Sequence, residues 1–219
     1  TKETFLSNMS HDIRTPMNAI LGLASLARRY IDEPARVADA LGKIETAGGH
    51  LLDLINDVLD MSRINSGKLR LVSERFALGD LMHDILIIIK PQMTQKGHSW
   101  SFKAENIRAE ALLGDALRLR QTYVNIISNA VKYTPAGGDI RISLSEELEG
   151  ELCRLNFSCV DNGIGMSQEF LSRIFEPFER AQHSGTSGIE GTGVGMSIVK
   201  KLVEALGGEI RIARGQDGG

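Results

Sequence analysis

Residues 37–60 read VADALGKIETAGGHLLDLINDVLD, in which Val37, Leu41, Ile44, Gly48, Leu51, Ile55 and Val58 keep a strict seven-residue repeat. That period places apolar and small side chains along one seam of a helix and predicts a partner helix against it. Gly67 follows as a cap, since glycine accepts the left-handed backbone on which helices commonly end. Upstream, Pro34 marks a break, and before it Phe5, Met9, Ile13, Met17, Ile20, Ala24 and Ala27 recur at three- and four-residue steps. Two long helices joined by a short loop make a hairpin, each arm roughly 45 Å long for about 30 residues. Neither arm can cover the other's apolar stripe completely. Pairing of two hairpins into a four-helix bundle is the economical way to bury it, so a homodimer is expected.

Beyond Gly67 the pattern changes. Strands are expected near 69–76, 99–104, 138–145, 151–160 and 208–213, and helices over 78–95, 115–133, 168–173 and 194–206. Strands interleaved with helices predict a two-layer α/β sandwich with helices on one face of a mixed sheet. The fold class is therefore α plus α/β, with a helical domain over 1–68 and a sandwich over 69–219. Residues 176–193, rich in Gly, Ser, Thr and charge, read as a mobile loop.

The chain has 219 residues, 42% hydrophobic and 24% charged, an ordinary globular composition. Twenty-five basic against 28 acidic residues leave a formal charge of -3, which offers no footprint for nucleic acid or an anionic membrane. No apolar run approaches the roughly 20 residues needed to span a bilayer. The longest candidate, Ile85 to Ile89, stops at Lys90 and Pro91. The two cysteines, Cys153 and Cys159, share the apolar face of one strand about 20 Å apart, out of disulfide reach, and read as reduced core residues.

Several short segments carry chemistry. In SHDIRTPMN, residues 10–18, His11 and Thr15 lie one helical turn apart with Asp12 adjacent, and His11 falls off the apolar stripe. A neutral imidazole nitrogen is a competent nucleophile toward a phosphoryl group, and a carboxylate can hold the proton on the other nitrogen. Pro16 removes a backbone donor and loosens or bends the helix just beyond. In DALRLRQTYVNIISNAVKYT, residues 115–134, helical spacing puts Asn125, Asn129 and Lys132 on one side of an otherwise apolar helix. Amide oxygens are hard ligands suited to Mg²⁺; the plainer alternative is a solvated polar face. DNGIGM, residues 161–166, reads either as a turn or as a close backbone approach at Gly163 and Gly165, with Asp161 free to accept an amine. IFEPFER, residues 174–180, supplies Phe175, Phe178 and Arg180. GTGVGMSIVKKL, residues 191–202, sets Gly191, Gly193, Val194 and Gly195 before an amphipathic helix, a turn suited to phosphate. It lacks the lysine of a P-loop and the acidic residue of a dinucleotide fold.

Taken in order and with their spacing, these segments resemble the H, N, F and glycine-rich boxes of sensor histidine kinases, over roughly residues 5–213. The resemblance implies a GHKL-type ATP-binding sandwich, of the kind shared with gyrase and MutL, behind a dimerisation and phosphotransfer hairpin. It implies autophosphorylation of His11 by ATP, transfer to an aspartate of a response-regulator receiver domain, in trans or fused, and regulator phosphatase activity. Asp12 is then the base or hydrogen-bond partner of His11, and Thr15 orients water for the reverse reaction. Asn129 is the Mg²⁺ ligand, Lys132 a phosphate contact, Tyr133 an adenine contact and Asn125 a weaker nucleotide contact. Asp161 takes the adenine amine, Arg180 reaches the terminal phosphate, and Gly163, Gly165, Gly191, Gly193, Val194 and Gly195 line the nucleotide. This part of the chain is expected in the cytoplasm, with any membrane attachment through segments outside it. The family's usual final strand has no counterpart after GGEIRIARGQDGG, and Met196 stands where leucine is commoner, a near-neutral exchange. His50, His83, His98 and His183 match no functional position.

Overall fold

A computed structural model describes residues 2–150, 152–179 and 193–214, apart from the side chains of residues 2–8 and of His11. The chain divides into two compact units, Thr1–Leu69 and Arg70–Gly219.

The first unit is the helical hairpin, α1 (Lys2–Arg29) against α2 (Pro34–Asn65). Proline opens α2 at the position where its missing N–H costs nothing. Gly67, at φ +65°, ends it: Gly67 N–H donates to Ile64 O (3.1 Å) and Lys68 N–H to Arg63 O (2.9 Å), which satisfies carbonyls the helix leaves orphaned. In the connection, the Arg36 guanidinium lies 4.4 Å from the Tyr30 ring centroid and pairs with Glu33 at 3.0 Å. Met9, Ala40, Leu54 and Met61 are buried between the helices. Leu21, Leu41, Leu52, Ile55 and Leu59 stay exposed, so one hairpin leaves much of its apolar surface in water.

The second unit contains β1 (Glu74–Phe76), α3 (Leu78–Gln95), β2 (Ser99–Glu105), β3 (Leu112–Gly114), α4 (Ala116–Tyr133), β4 (Asp139–Glu149), β5 (Leu152–Asp161), α5 (Gln168–Arg173) and α6 (Gly195–Ala205). One sheet has the order β2-β4-β5, with β2 parallel and β5 antiparallel to β4; β1 and β3 form a separate antiparallel pair. The parallel pair forces a crossover, and α4 lies within it. Alternate residues of β4, Ile140, Ile142 and Leu144, point into a core shared with Ile85, Ile89 and Met93 of α3 and Tyr123, Ile127 and Val131 of α4. On β5, Cys159, Phe157 and Leu155 lie opposite Ile142, Leu144 and Glu146 and pack against the same core, and Phe157 stacks on Tyr123 at 4.2 Å. Both cysteines are free thiols. Burial, then the charge of Asp161, pushes the Cys159 thiol up to about 12.

Two expectations are corrected. Only Glu74–Phe76 of the segment 69–76 is strand, and it pairs with Leu112–Gly114, too short to show an alternation of its own. Residues 208–213 form no strand among the described residues, although Ile210 and Ile212 are half-buried and Glu209 and Arg211 exposed. Alternation alone does not make a strand without a neighbour to complete the ladder. No helix among the described residues is long and apolar enough to cross a membrane.

Ile127, fully buried at the centre of α4, tests this packing. Ile127→Ala should cost about 2–5 kcal/mol, measured by denaturant unfolding.

Candidate functional site

The site grows from the two ends of α4. At its start, the buried Asp115 carboxylate accepts from Arg118 N–H with Oδ1 (3.0 Å) and from Val72 N–H with Oδ2 (3.0 Å), capping the helix and tying it to the segment before β1. Tyr123, Ile127, Ala130 and Val131 commit one face to the core. The half-buried Asn125, Asn129, Lys132 and Tyr133 take up the remaining side, one turn apart. The Lys132 ammonium lies 5.0 Å from the Tyr133 ring centroid.

The helix ends where Thr134 turns extended ahead of Pro135, as a residue before proline should. Thr134 is buried, and its hydroxyl donates to Asp161 Oδ1 at 3.4 Å. Gly163 N–H donates to the same oxygen at 2.9 Å, and Ile164 N–H donates to Tyr133 O at 3.2 Å. The loop after β5 thus hangs from the last residue of α4. A Cβ on Gly163 would sit 2.6 Å from Asp161 Oδ1 and 2.7 Å from Tyr133 O, so nothing larger fits. Gly165 follows at φ +66°. Asn162 braces the other side: its Oδ1 accepts from Asp139 N–H at 2.7 Å and its own N–H donates to Asp139 O at 3.2 Å. Both bonds to Asp161 use Oδ1, and among the described residues none uses Oδ2.

A second group of candidates lies at the foot of α6. Phe178, itself at φ +69°, donates its N–H to Gly193 O at 2.9 Å. A Cβ on Gly193 would meet Phe178 Cα at 2.9 Å, so the F-box backbone and the glycine-rich turn are pressed together. Val194 is buried, and its carbonyl accepts from the Ser197 hydroxyl at 2.7 Å and from Ile198 N–H at 3.0 Å. A Cβ on Gly195, the first residue of α6, would meet no atom of the described residues within 4 Å. Arg180, Gly191 and the loop between them lie outside the described residues.

In the helical unit, α1 carries His11 at its backbone position, but the ring lies outside the described residues. Asp12 is half-buried, Thr15 exposed and Pro16 buried. Thr134, Gly138 and Asn162 were not singled out from the sequence. A Cβ on Gly138 would collide with the Thr134 methyl group and Asn162 Oδ1. Their signal in the sequence is weak: Thr134 precedes a proline, Gly138 closes the turn segment TPAGG, and Asn162 lies within DNG.

Among the described residues no group of three or more His, Cys, Asp or Glu is placed to hold a metal. The Asn129 amide oxygen is a hard donor of the type that could serve Mg²⁺, an ion that takes few protein ligands beside waters and substrate phosphates.

Two family models match the chain. "His Kinase A (phospho-acceptor) domain" covers residues 1–67. "Histidine kinase-, DNA gyrase B-, and HSP90-like ATPase" covers residues 114–219. The sensor protein GacS of Pseudomonas syringae pv. syringae is 40% identical over 96% of this chain and 23% of its own length. The autoinducer 2 sensor kinase/phosphatase LuxQ of Vibrio vulnificus is 39% identical over 97% of this chain and 25% of its own. Full-length ShkA in complex with AMPPNP superposes with a TM-score of 0.62 at 28% identity, over 93% of this chain and 41% of that one. The chain spans about a quarter of the length of these two curated relatives.

Gly163→Ala must displace either the Asp161 carboxylate or the Tyr133 carbonyl, at a cost of about 1–3 kcal/mol. Amide exchange should locate the damage at Gly163 and Ile164, leaving the Ile140–Leu144 strand protected.

Proposed function

The chain belongs to the sensor histidine kinase family, of which it holds the catalytic core, and from that premise we propose that it uses ATP to phosphorylate His11. The observation that carries the nucleotide reading is Asp161. Its Oδ1 is fixed by Gly163 N–H and the Thr134 hydroxyl, so Oδ2 is held in position to accept the exocyclic amine of adenine. Tyr133, the residue from whose carbonyl that loop hangs, packs against the base. Lys132 contacts phosphate, with Asn125 as a further polar contact. Gly163 and Gly165 let the base approach the backbone, while Gly191, Gly193, Val194 and Gly195 line the phosphates with the N-terminus of α6 behind them. Arg180 reaches the terminal phosphate.

Mg²⁺ held by Asn129 would neutralise phosphate charge. In phosphoryl transfer most of the acceleration comes from positioning and charge stabilisation. An imidazole nitrogen of His11 forms the new P–N bond as the bond to the β–γ bridging oxygen breaks and ADP departs. Asp12 orients the imidazole and takes up its proton. The phosphoryl group then passes to an aspartate on a receiver domain, and Thr15 orients water for the opposing hydrolysis. The apolar residues that one hairpin leaves exposed, Leu21, Leu41, Leu52 and Ile55, are covered by a second copy.

Incubation with γ-labelled ATP tests the scheme. The chain should acquire an acid-labile label that His11→Gln abolishes while leaving nucleotide affinity near normal. Asn129→Asp should slow labelling on the order of a hundredfold without unfolding the domain. Thr15→Ala should spare labelling and remove dephosphorylation of a receiver; equal loss of both would refute the division of roles. An acid-stable label on serine or threonine would refute the whole scheme.

A further inference from the structure

We infer that Lys96, in the turn between α3 and β2, is a positioning residue for nucleotide binding, acting through the C-terminal turn of α4. This rests on the nucleotide reading above and adds a residue that none of the motif segments contains.

Helices leave their last carbonyls without internal partners, and these oxygens carry the negative end of the helix dipole. In α4 they belong to the residues that bear Lys132 and Tyr133. The Lys96 ammonium donates to Val131 O at 2.8 Å and to Lys132 O at 2.9 Å, a charge-assisted pair in a partly buried place. The buried His98 sets Nε2 3.3 Å from Val131 O, a carbonyl that can only accept, so Nε2 carries the proton; its Nδ1 meets no partner among the described residues. Ile164 N–H takes Tyr133 O, the next carbonyl in line. The main chain of the same turn grips the far side of the junction. Gly137 N–H donates to Lys96 O at 3.0 Å and Ser99 N–H donates to Gly138 O at 2.9 Å.

Lys96 therefore holds both sides of the link between α4 and β4, the link against which Asn162 and Asp161 are braced. Loosening it lets Tyr133 O shift, and the Gly163–Ile164 loop that hangs from Tyr133 shifts with it. Lys96 acts at a distance from the ligand, because its ammonium is spent on main-chain oxygens. Arginine keeps a charged multiple donor at that place, whereas methionine keeps the length and loses every donor.

The test compares the 219-residue chain with Lys96→Met, Lys96→Arg and the exposed control Lys90→Met. Affinity for AMPPNP with Mg²⁺ is measured by calorimetry, and amide exchange is followed without nucleotide. Lys96→Met should weaken AMPPNP about tenfold, the scale of a lost charge-assisted hydrogen bond. It should also speed exchange at Gly137, Gly163 and Ile164 while the amides of central β4 hold. Lys96→Arg should recover most of the affinity, and Lys90→Met should change neither readout. Unchanged affinity in Lys96→Met would overturn the inference alone, as would faster exchange spread evenly over the unit, the mark of a general stabilising role. A parent chain that bound no AMPPNP would overturn the nucleotide reading and this inference with it.

Discussion

The carbonyls at the end of α4 need hydrogen-bond partners from outside the helix, and the choice of partners decides where the site stands. They come from two other parts of the chain: Lys96 and His98 from the turn before β2, and Ile164 from the loop after β5. Meeting one local requirement therefore brings three distant segments to one point. Asp161 and Gly163 are placed there by the same network that stops the helix, so the end of a secondary-structure element and the rim of the proposed binding site are one object.

Much of this was legible from the residues. The long periodic elements were read closely, and α3 and α5 lie where the pattern put them, because burial of a helical face leaves a strong trace over many residues. Residue type and spacing drew attention to Asn129, Lys132 and Asp161, whereas Tyr133 and the roles of all four came from the resemblance to histidine kinases. What was missed has a shared physical character. The strand Leu112–Gly114 is three residues long and exists only through its pairing with Glu74–Phe76. Lys96 and His98 matter through where a turn meets the end of another helix, which no spacing records. Gly138 and Gly163 are constrained by side chains and carbonyls brought in from elsewhere. Conversely, Glu209 to Ile212 carry the alternation of a strand and form no ladder, so a pattern without a partner was misleading.

The helical unit follows other rules. Its sequence is dominated by local periodicity, and its apolar surface exceeds what two antiparallel arms can enclose. It also has two soft places at a similar height: Pro16 in α1 and Gly48–Gly49 in α2 each lie about 20 Å from the connecting turn at 1.5 Å per residue. Proline removes a hydrogen bond and glycine weakens helix propensity. Both arms are thus most easily bent near one level, a turn or so beyond His11.

The parallel register of β2 and β4 has a kinetic corollary. Ser99 pairs with Asp139, and the whole of β3 and α4 must be looped out before that pair can form. Loop closure of this kind is costly and slow, whereas a helical hairpin needs only neighbours in sequence. On refolding from denaturant, the helical signal should therefore return before the proposed nucleotide site is complete. The proposed phosphate chemistry has to wait for that pairing.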